Sequence, residues 1–340
     1  MNPEALASIP ARPLLETGLE ARIPLPPGDR ALVVAGTWVD AGDPIVEHLR
    51  DRRVGEVDVK ALAGAAATPA TGVGLRWAPP PSRRRGEAAG DGELIAPLPG
   101  RPDRWRIATG EHRVQLTSPL RGEVSAVLPG GELRIRAAGP AIRGALAAGA
   151  AAHGPLELAT DPFGELRPGG IDVGRAGSIL VVGSRIDAEA LTRARAMGVR
   201  GIVVAALPGK ELRDFQASER RQRASLHAPP PFAVLALEGA VRRPIPSPIA
   251  AILERLAGTR VSLLVDPPAL VFDAAPDDLP LPAPDWVRVR GGPHAGLEGR
   301  VVGLAGVRRY AANVHLDAAW VEVDGEAPID VPIGDLERYT

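Results

Sequence analysis

The sequence predicts a multi-domain chain of mixed α/β and all-β class: a β-rich N-terminal part, a central α/β layer domain and a small all-β C-terminal part. Three observations predict this. The 340 residues exceed what one small core accommodates. Glycine and proline number 39 and 36, a density of breakers that favours short strands and turns over long helices. The apolar period also changes along the chain, from alternation at both ends to helical spacing in the middle.

Residues 1–20 show no period and read as a loosely held tail. A β-rich part follows over 21–160. In it RALVV at 30–34 is a run of buried-strand type, GTWVDAGDPI occupies 36–45, and ELRIR at 132–136 alternates cleanly. The segment 50–106 interrupts this part. It holds APPPSRRR at 78–85 and many glycines, and is expected to be a long excursion with little structure of its own.

The α/β domain is expected over 161–272. SILVVG at 178–183 reads as a strand; Ile186, Ala190, Leu191, Ala194 and Met197 then share one helix face, with Arg193 and Arg195 off it. VRGIVVAA at 199–206 is the next strand, which makes a βαβ unit with parallel strands and a right-handed crossover. A charged helix follows over 211–225, then a strand FAVLAL at 232–237. Ser247 is expected to cap a helix with Pro248 in its first turn and Ile249, Ile252, Leu253 and Leu256 as its buried stripe. Gly258 ends that helix, and RVSLLV at 260–265 forms a fourth strand. Residues 273–284, rich in proline and acidic side chains, read as a stiff extended linker to the last part, 285–340.

Composition excludes several classes of function. Forty basic residues face 41 acidic ones, so no whole-protein attraction to nucleic acid or an anionic membrane is expected. The absence of cysteine excludes disulfides, thiolate zinc sites, iron–sulfur clusters and cysteine nucleophiles. The six histidines (His48, His112, His153, His227, His294, His315) include no pair at helical ligand spacing, so no metal site is expected. There is no G-x-S-x-G, no Ser/His/Asp order can be singled out, and no cofactor is predicted. The first fifteen residues contain no long apolar run, so neither a signal peptide nor a membrane span is expected, and the expected compartment is the cytoplasm.

The strongest motif lies near the C-terminus. VRVRGGPHAGLEGRVVG at 287–303 is an alternating strand, a Gly-Pro turn, Gly296, and Gly299 opening the next strand. WVEV at 320–323, an Asp324-Gly325 turn and IDVPI at 329–333 then read as a hairpin, with Leu336 and Glu337 closing the sheet. This pattern resembles the KOW domain of transcription elongation factors and ribosomal proteins, although 305–317 is longer than in compact examples. The resemblance implies a small SH3-like β-barrel that serves as a binding module. Its relatives contact RNA polymerase, ribosomal proteins, termination factors or RNA. The candidate contact residues are Arg288, Arg290, His294, Arg308, Arg309 and Tyr310. The alternative is a barrel that acts as a spacer or docks on its own neighbours.

Two halves of the N-terminal part, WVDAGDPI at 38–45 and SPLRGEV at 118–124, resemble a barrel-sandwich hybrid, the lipoyl/biotinyl-like scaffold. About 70 residues separate the halves, and Lys60, the only lysine among them, lacks the carrier context. The resemblance implies the scaffold without the carrier function; an unrelated β-barrel is the alternative. Arg83, Arg84 and Arg85 between Trp77 and Trp105 read either as a nucleic-acid loop or as a solvated one.

In the α/β domain a ligand is expected beyond the C-terminal strand ends, where Ser184, Arg185, Asp187, Lys210, Glu238, Arg242 and Arg243 form a candidate anion pocket. The turn at 183–187 lacks phosphate-loop spacing, and Ser184 with Asp187 also reads as a helix start. The leading expectation is a non-enzymatic modular protein that docks on a protein of the transcription or translation machinery. The alternatives are an α/β domain acting on a small anionic ligand, and a structural assembly subunit. Residues 285–340 hold six arginines against nine acidic residues (6 − 9 = −3), which favours a protein over a phosphate backbone as partner.

Overall fold

The computed structural model describes residues 6–50, 53–58, 76–77, 92–98, 101–109, 112–225 and 230–340. The chain is strand-rich and mixed α/β plus all-β. Its centre is a nine-stranded sheet in the order Ala141–Arg143, Ala269–Phe272, Arg260–Leu264, Ala152–Leu158, Ile179–Ile186, Gly201–Ala206, Ala233–Ala236, Leu146–Gly149, with Glu165–Leu166 also paired to Ile179–Ile186. The four inner strands from Ala152–Leu158 to Ala233–Ala236 run parallel. The flanking ones are antiparallel.

Helices α1 (Ala188–Ala196) and α2 (Gly209–Ser225) follow two of these parallel strands, and α3 (Ser247–Arg255) follows the third. Ala190, Leu191, Ala194 and Phe215 pack on Leu180, Val182, Ile202 and Val204 on one face. Ile249, Ile252 and Leu253 of α3 pack on Val181, Val203 and Leu235 on the other. Both faces are covered, which is why these strands are apolar throughout instead of alternating. With only 3% aromatic residues, aliphatic side chains and alanines fill most of both layers.

Asp187 caps α1, its carboxylate accepting from the Ala190 N–H at 2.7 Å. Ser247 does not cap α3 as expected. The cap position is Pro246, and both the N–H and the hydroxyl of Ser247 donate to the carboxylate of Glu298, a residue of the C-terminal sheet. A carboxylate there satisfies an orphan amide and favours the positive end of the helix dipole, so a distant residue takes over the role of the local cap.

The N-terminal β part closes a four-stranded sheet (Glu20–Pro24, Glu132–Ala137, Gly122–Val127, Trp38–Val39) and a three-stranded sheet (Arg30–Ala31, Pro44–Arg50, His112–Thr117) over one core. That core contains Ile23, Ile45, Val46, Leu120, Val124, Leu133 and Ile135. Three expectations are corrected here. The run at 30–34 is a strand only at Arg30–Ala31, because the chain turns at Val34–Thr37 and leaves Val34 71% exposed. Residues 141–158 belong to the central sheet, where they pair with 260–272 and with 179–181 and 233–236. The segment 50–106 is not structureless. Arg53–Asp58, Arg76–Trp77, Gly92–Leu98 and Arg101–Thr109 form an antiparallel sheet. Its long pair continues the register of Pro44–Arg50 with His112–Thr117. Lys60 and Arg83, Arg84 and Arg85 lie outside the described residues.

The C-terminal sheet has six strands in the order Ala11–Arg12, Leu336–Tyr339, Trp286–Val289, Glu298–Arg309, His315–Glu322, Ile329–Pro332. Its core is Val287, Val289, Val301, Ala319, Val321, Val331 and Leu336, with Ile9 among them. The N-terminal segment is therefore not a loose tail from residue 6 onward: Ala11–Arg12 pairs in parallel with Arg338 and Tyr339. Gly296 has φ +97°, and a Cβ on Gly299 would lie 2.2 Å from the Glu322 carbonyl oxygen, so both glycines are required where the sequence places them. The 273–284 segment is not a free spacer. It contains a short helical turn, Pro276–Asp278, and Leu279 is buried in the core under α3.

Candidate functional site

The seven residues expected to ring a ligand at the strand ends do not converge on one cavity. Ser184 is buried and its hydroxyl donates to the Phe163 carbonyl at 2.8 Å, which fastens the 161–164 loop over the strand. Gly183 makes this approach possible, since a Cβ there would meet the Asp161 carbonyl oxygen at 2.2 Å. Arg185 pairs with Glu211 at 3.2 Å, Asp187 caps α1, and Arg242 pairs with Glu165. Lys210 is exposed at the start of α2. Arg243 donates to the Arg290 carbonyl at 2.8 Å.

Glu238 has the most consequential surroundings. Its Oε1 accepts from Arg12 at 3.0 Å and its Oε2 from Arg288 at 2.8 Å. Arg288 also donates to the Pro244 carbonyl, and Arg12 to those of Arg143 and Leu237. Trp286 and Tyr339 stack beside them with ring centroids 5.4 Å apart. The C-terminal sheet thus covers this strand end, and the carboxylate expected to face a ligand faces two arginines of its own chain. Arg288, expected as an exposed contact, is completely buried, because it sits within the strand Trp286–Val289 on the side that meets the α/β layer. A cavity of about 310 Å³ does lie on this domain, beside α3, lined by Leu158, Thr160, Asp161, Val181, Ile245 and Leu253 among others; none of the seven residues lines it.

Three of the remaining candidates, Arg308, Arg309 and Tyr310, lie on a long hairpin of the C-terminal sheet. Glu298–Arg309 and His315–Glu322 are longer than the core needs and form a hairpin that curls past it, with register shifts at 301–303 and 304–306. Arg308 stacks over Trp320 with its guanidinium carbon 5.0 Å from the ring centroid. The Tyr310 hydroxyl donates to Asp330 at 3.0 Å, and burial together with that bond pushes its pKa up to about 12. Arg309 is exposed at the turn. Arg290 and His294 flank Gly291 and Gly292; the Arg290 carbonyl accepts from Arg243, and its guanidinium pairs with Glu337 at 3.5 Å. The six candidates therefore split three ways: Arg288 inside, Arg290 and His294 about the Gly291-Gly292 turn, and Arg308, Arg309 and Tyr310 on the hairpin.

The hairpin carries a feature that basic residues alone did not reveal. Val302, Leu304, Val307, Val314 and Leu316 are each 40–64% exposed, a concentration of apolar surface on one element. Leu304 pairs in register with Ala319 and thus continues the core face beyond the core. Below the hairpin is an open groove of about 730 Å³, lined by Leu304, Leu316, Asp317, Pro332, Ile333 and Asp335 among others. The only hint in the sequence was the extra length of 305–317. Among the described residues no group of three histidine, aspartate or glutamate side chains is placed to hold a metal ion, and no helix is long and apolar enough to cross a membrane. No protein-family model matches the chain, and no curated protein is significantly similar to it.

Proposed function

We propose that this chain is a non-enzymatic binding protein whose C-terminal sheet, a barrel of the KOW type, docks on a protein of the transcription or translation machinery through its long hairpin. The observation that carries the reading is the exposed apolar hairpin with its groove: Leu304, Val307 and Leu316 face water while the same sheet buries its other face on the α/β layer. Concentrated apolar exposure of this kind marks a surface kept for a partner. The motif resemblance supplies the class of partner. Charge favours a protein, since the balance of 285–340 is −3 and one of the six arginines, Arg288, is buried against Glu238. The N-terminal β part and the α/β layer serve on this reading as a rigid base, the former with a barrel-sandwich-like arrangement that carries no prosthetic group.

The test is comparative co-purification from the native host. Tagged wild type and a Leu304→Asp/Leu316→Asp double variant are compared by quantitative mass spectrometry. Polymerase-associated or ribosomal proteins enriched with the wild type and lost from the variant are the expected result. Identical partner lists, or enrichment of neither class, overturn the reading.

A further inference from the structure

We infer that the groove under the hairpin takes an extended segment of the partner, apolar and basic, added as a strand along His315–Asp317. The inference rests on the docking reading above and names the chemistry of what docks. Three independent observations converge on it.

The first is an open edge. His315–Glu322 pairs on its outer side with Ile329–Pro332, but that ladder ends at Ala318 opposite Pro332, where the chain turns away into Ile333–Asp335. Among the described residues no strand continues the ladder beside His315, Leu316 and Asp317, although these three remain paired on their inner side to Arg309, Arg308 and Val307. A half-paired strand presents a row of backbone donors and acceptors in strand geometry, and an extended peptide is the ligand that matches it.

The second is the shape and polarity of the space beside that edge. The groove is walled by Leu304 and Leu316 on the hairpin and by Pro332 and Ile333 on the turn that leaves it. Its volume of about 730 Å³ is in the range that holds a peptide segment of a few residues. Side chains of an added strand point alternately to the two faces, so every second residue meets these walls and should be apolar.

The third is charge. Asp317 and Asp335 both line the groove, and neither takes part in an ion pair among the described residues. Of the hairpin's two arginines near its turn, Arg308 is engaged on the Trp320 ring and Arg309 is exposed at the turn. Two carboxylates beside an apolar wall repel phosphate and acidic peptides and attract lysine or arginine. Strand register then sets the pattern: apolar residues toward the walls, basic residues alternating with them.

The experiment uses the purified full chain and fluorescence anisotropy with two labelled octapeptides, one alternating valine with arginine, the other valine with glutamate. The valine–arginine peptide is expected to bind about tenfold or more tightly over the glutamate one, the effect of two charge contacts at a partly solvated site. An Asp317→Asn/Asp335→Asn variant is expected to lose that preference, while Asp277→Asn/Asp278→Asn, which removes an exposed acidic pair outside the groove, keeps it. A Leu304→Asp variant is expected to weaken both peptides. Equal affinity for the two peptides, binding of neither, or a preference that survives in the groove variant but falls in the Asp277/Asp278 control overturns the inference. Failure here with a positive co-purification leaves docking standing and removes only the basic strand; peptide binding with unchanged partner lists does the reverse.

Discussion

Replacing Glu238 by alanine tests how the C-terminal sheet is held to the rest of the chain. The carboxylate is 6% exposed and bonds two guanidiniums, Arg12 at 3.0 Å and Arg288 at 2.8 Å. Arg12 is 24% exposed and can turn toward water, so its loss is discounted; Arg288 is fully buried and cannot. The cost is therefore dominated by one stranded guanidinium, about 3–5 kcal/mol. The Pro244 carbonyl remains to Arg288, while its Nε has no hydrogen-bond partner among the described residues, which keeps the figure from falling far. Glu238→Gln retains one acceptor and is expected to cost about 2–3 kcal/mol. A chain with several cores does not unfold in one step, so the assay is native-state hydrogen exchange. Amides of Val287–Val289 and Leu336–Tyr339 are expected to lose protection by that amount, while Ile202–Val204 in the central sheet stays protected. A Glu238→Leu/Arg288→Met double variant removes the stranded charge and is expected to regain more than half of the loss. A loss below about 0.5 kcal/mol for Glu238→Ala, or a double variant worse than the single one, refutes the argument that this buried triad clamps the two layers.

Two further outcomes follow from the same packing. The chain has two tyrosines, and both phenols are held neutral: Tyr310 up to about 12 by burial and its bond to Asp330, and Tyr339 well above its ordinary value by burial and the nearby Glu238. Their folded-state pKa values lie above the unfolded value of about 10, so the stability they contribute is complete below pH 10 and is lost as pH rises through the folded values. Absorbance at 295 nm should show no phenolate step near pH 10 in the native protein; a normal step for either tyrosine contradicts its placement. Leu279 anchors the proline-rich 273–284 segment, so Leu279→Asp is expected to make that segment the first site of cleavage by a broad-specificity protease, with wild type cut there more slowly. Equal cleavage rates contradict the anchoring.

Much of the architecture is written in local pattern. The parallel βαβ unit, the stripe of α3, and the glycines at 296 and 299 each follow from period or backbone conformation, and such signals act within a few residues. The same locality explains the failures. Ser247 has the right chemistry for a cap, yet Glu298, fifty-one positions away, performs the role. Arg288 looks like a surface arginine because alternation alone does not say which side of a strand will meet another sheet. The 141–158 residues are read as β-structure, as they are, but are assigned to the N-terminal part, because only pairing with 260–272, 179–181 and 233–236 shows which sheet they join.

The sequence by itself determined the mixed α/β plus β-rich character, the strand and helix periods of the centre, the absence of thiolate chemistry, and the turn geometry near the C-terminus, because each depends on residue type and short-range spacing. The tertiary structure alone decided that Glu238 is neutralised by Arg12 and Arg288, that residues 9–12 join a sheet built from the other end of the chain, and that Leu304, Leu316, Asp317 and Asp335 share one groove. These are contacts between residues far apart in sequence, set by which layers pack together, and no local pattern encodes the partner that a buried charge or an open strand edge will meet.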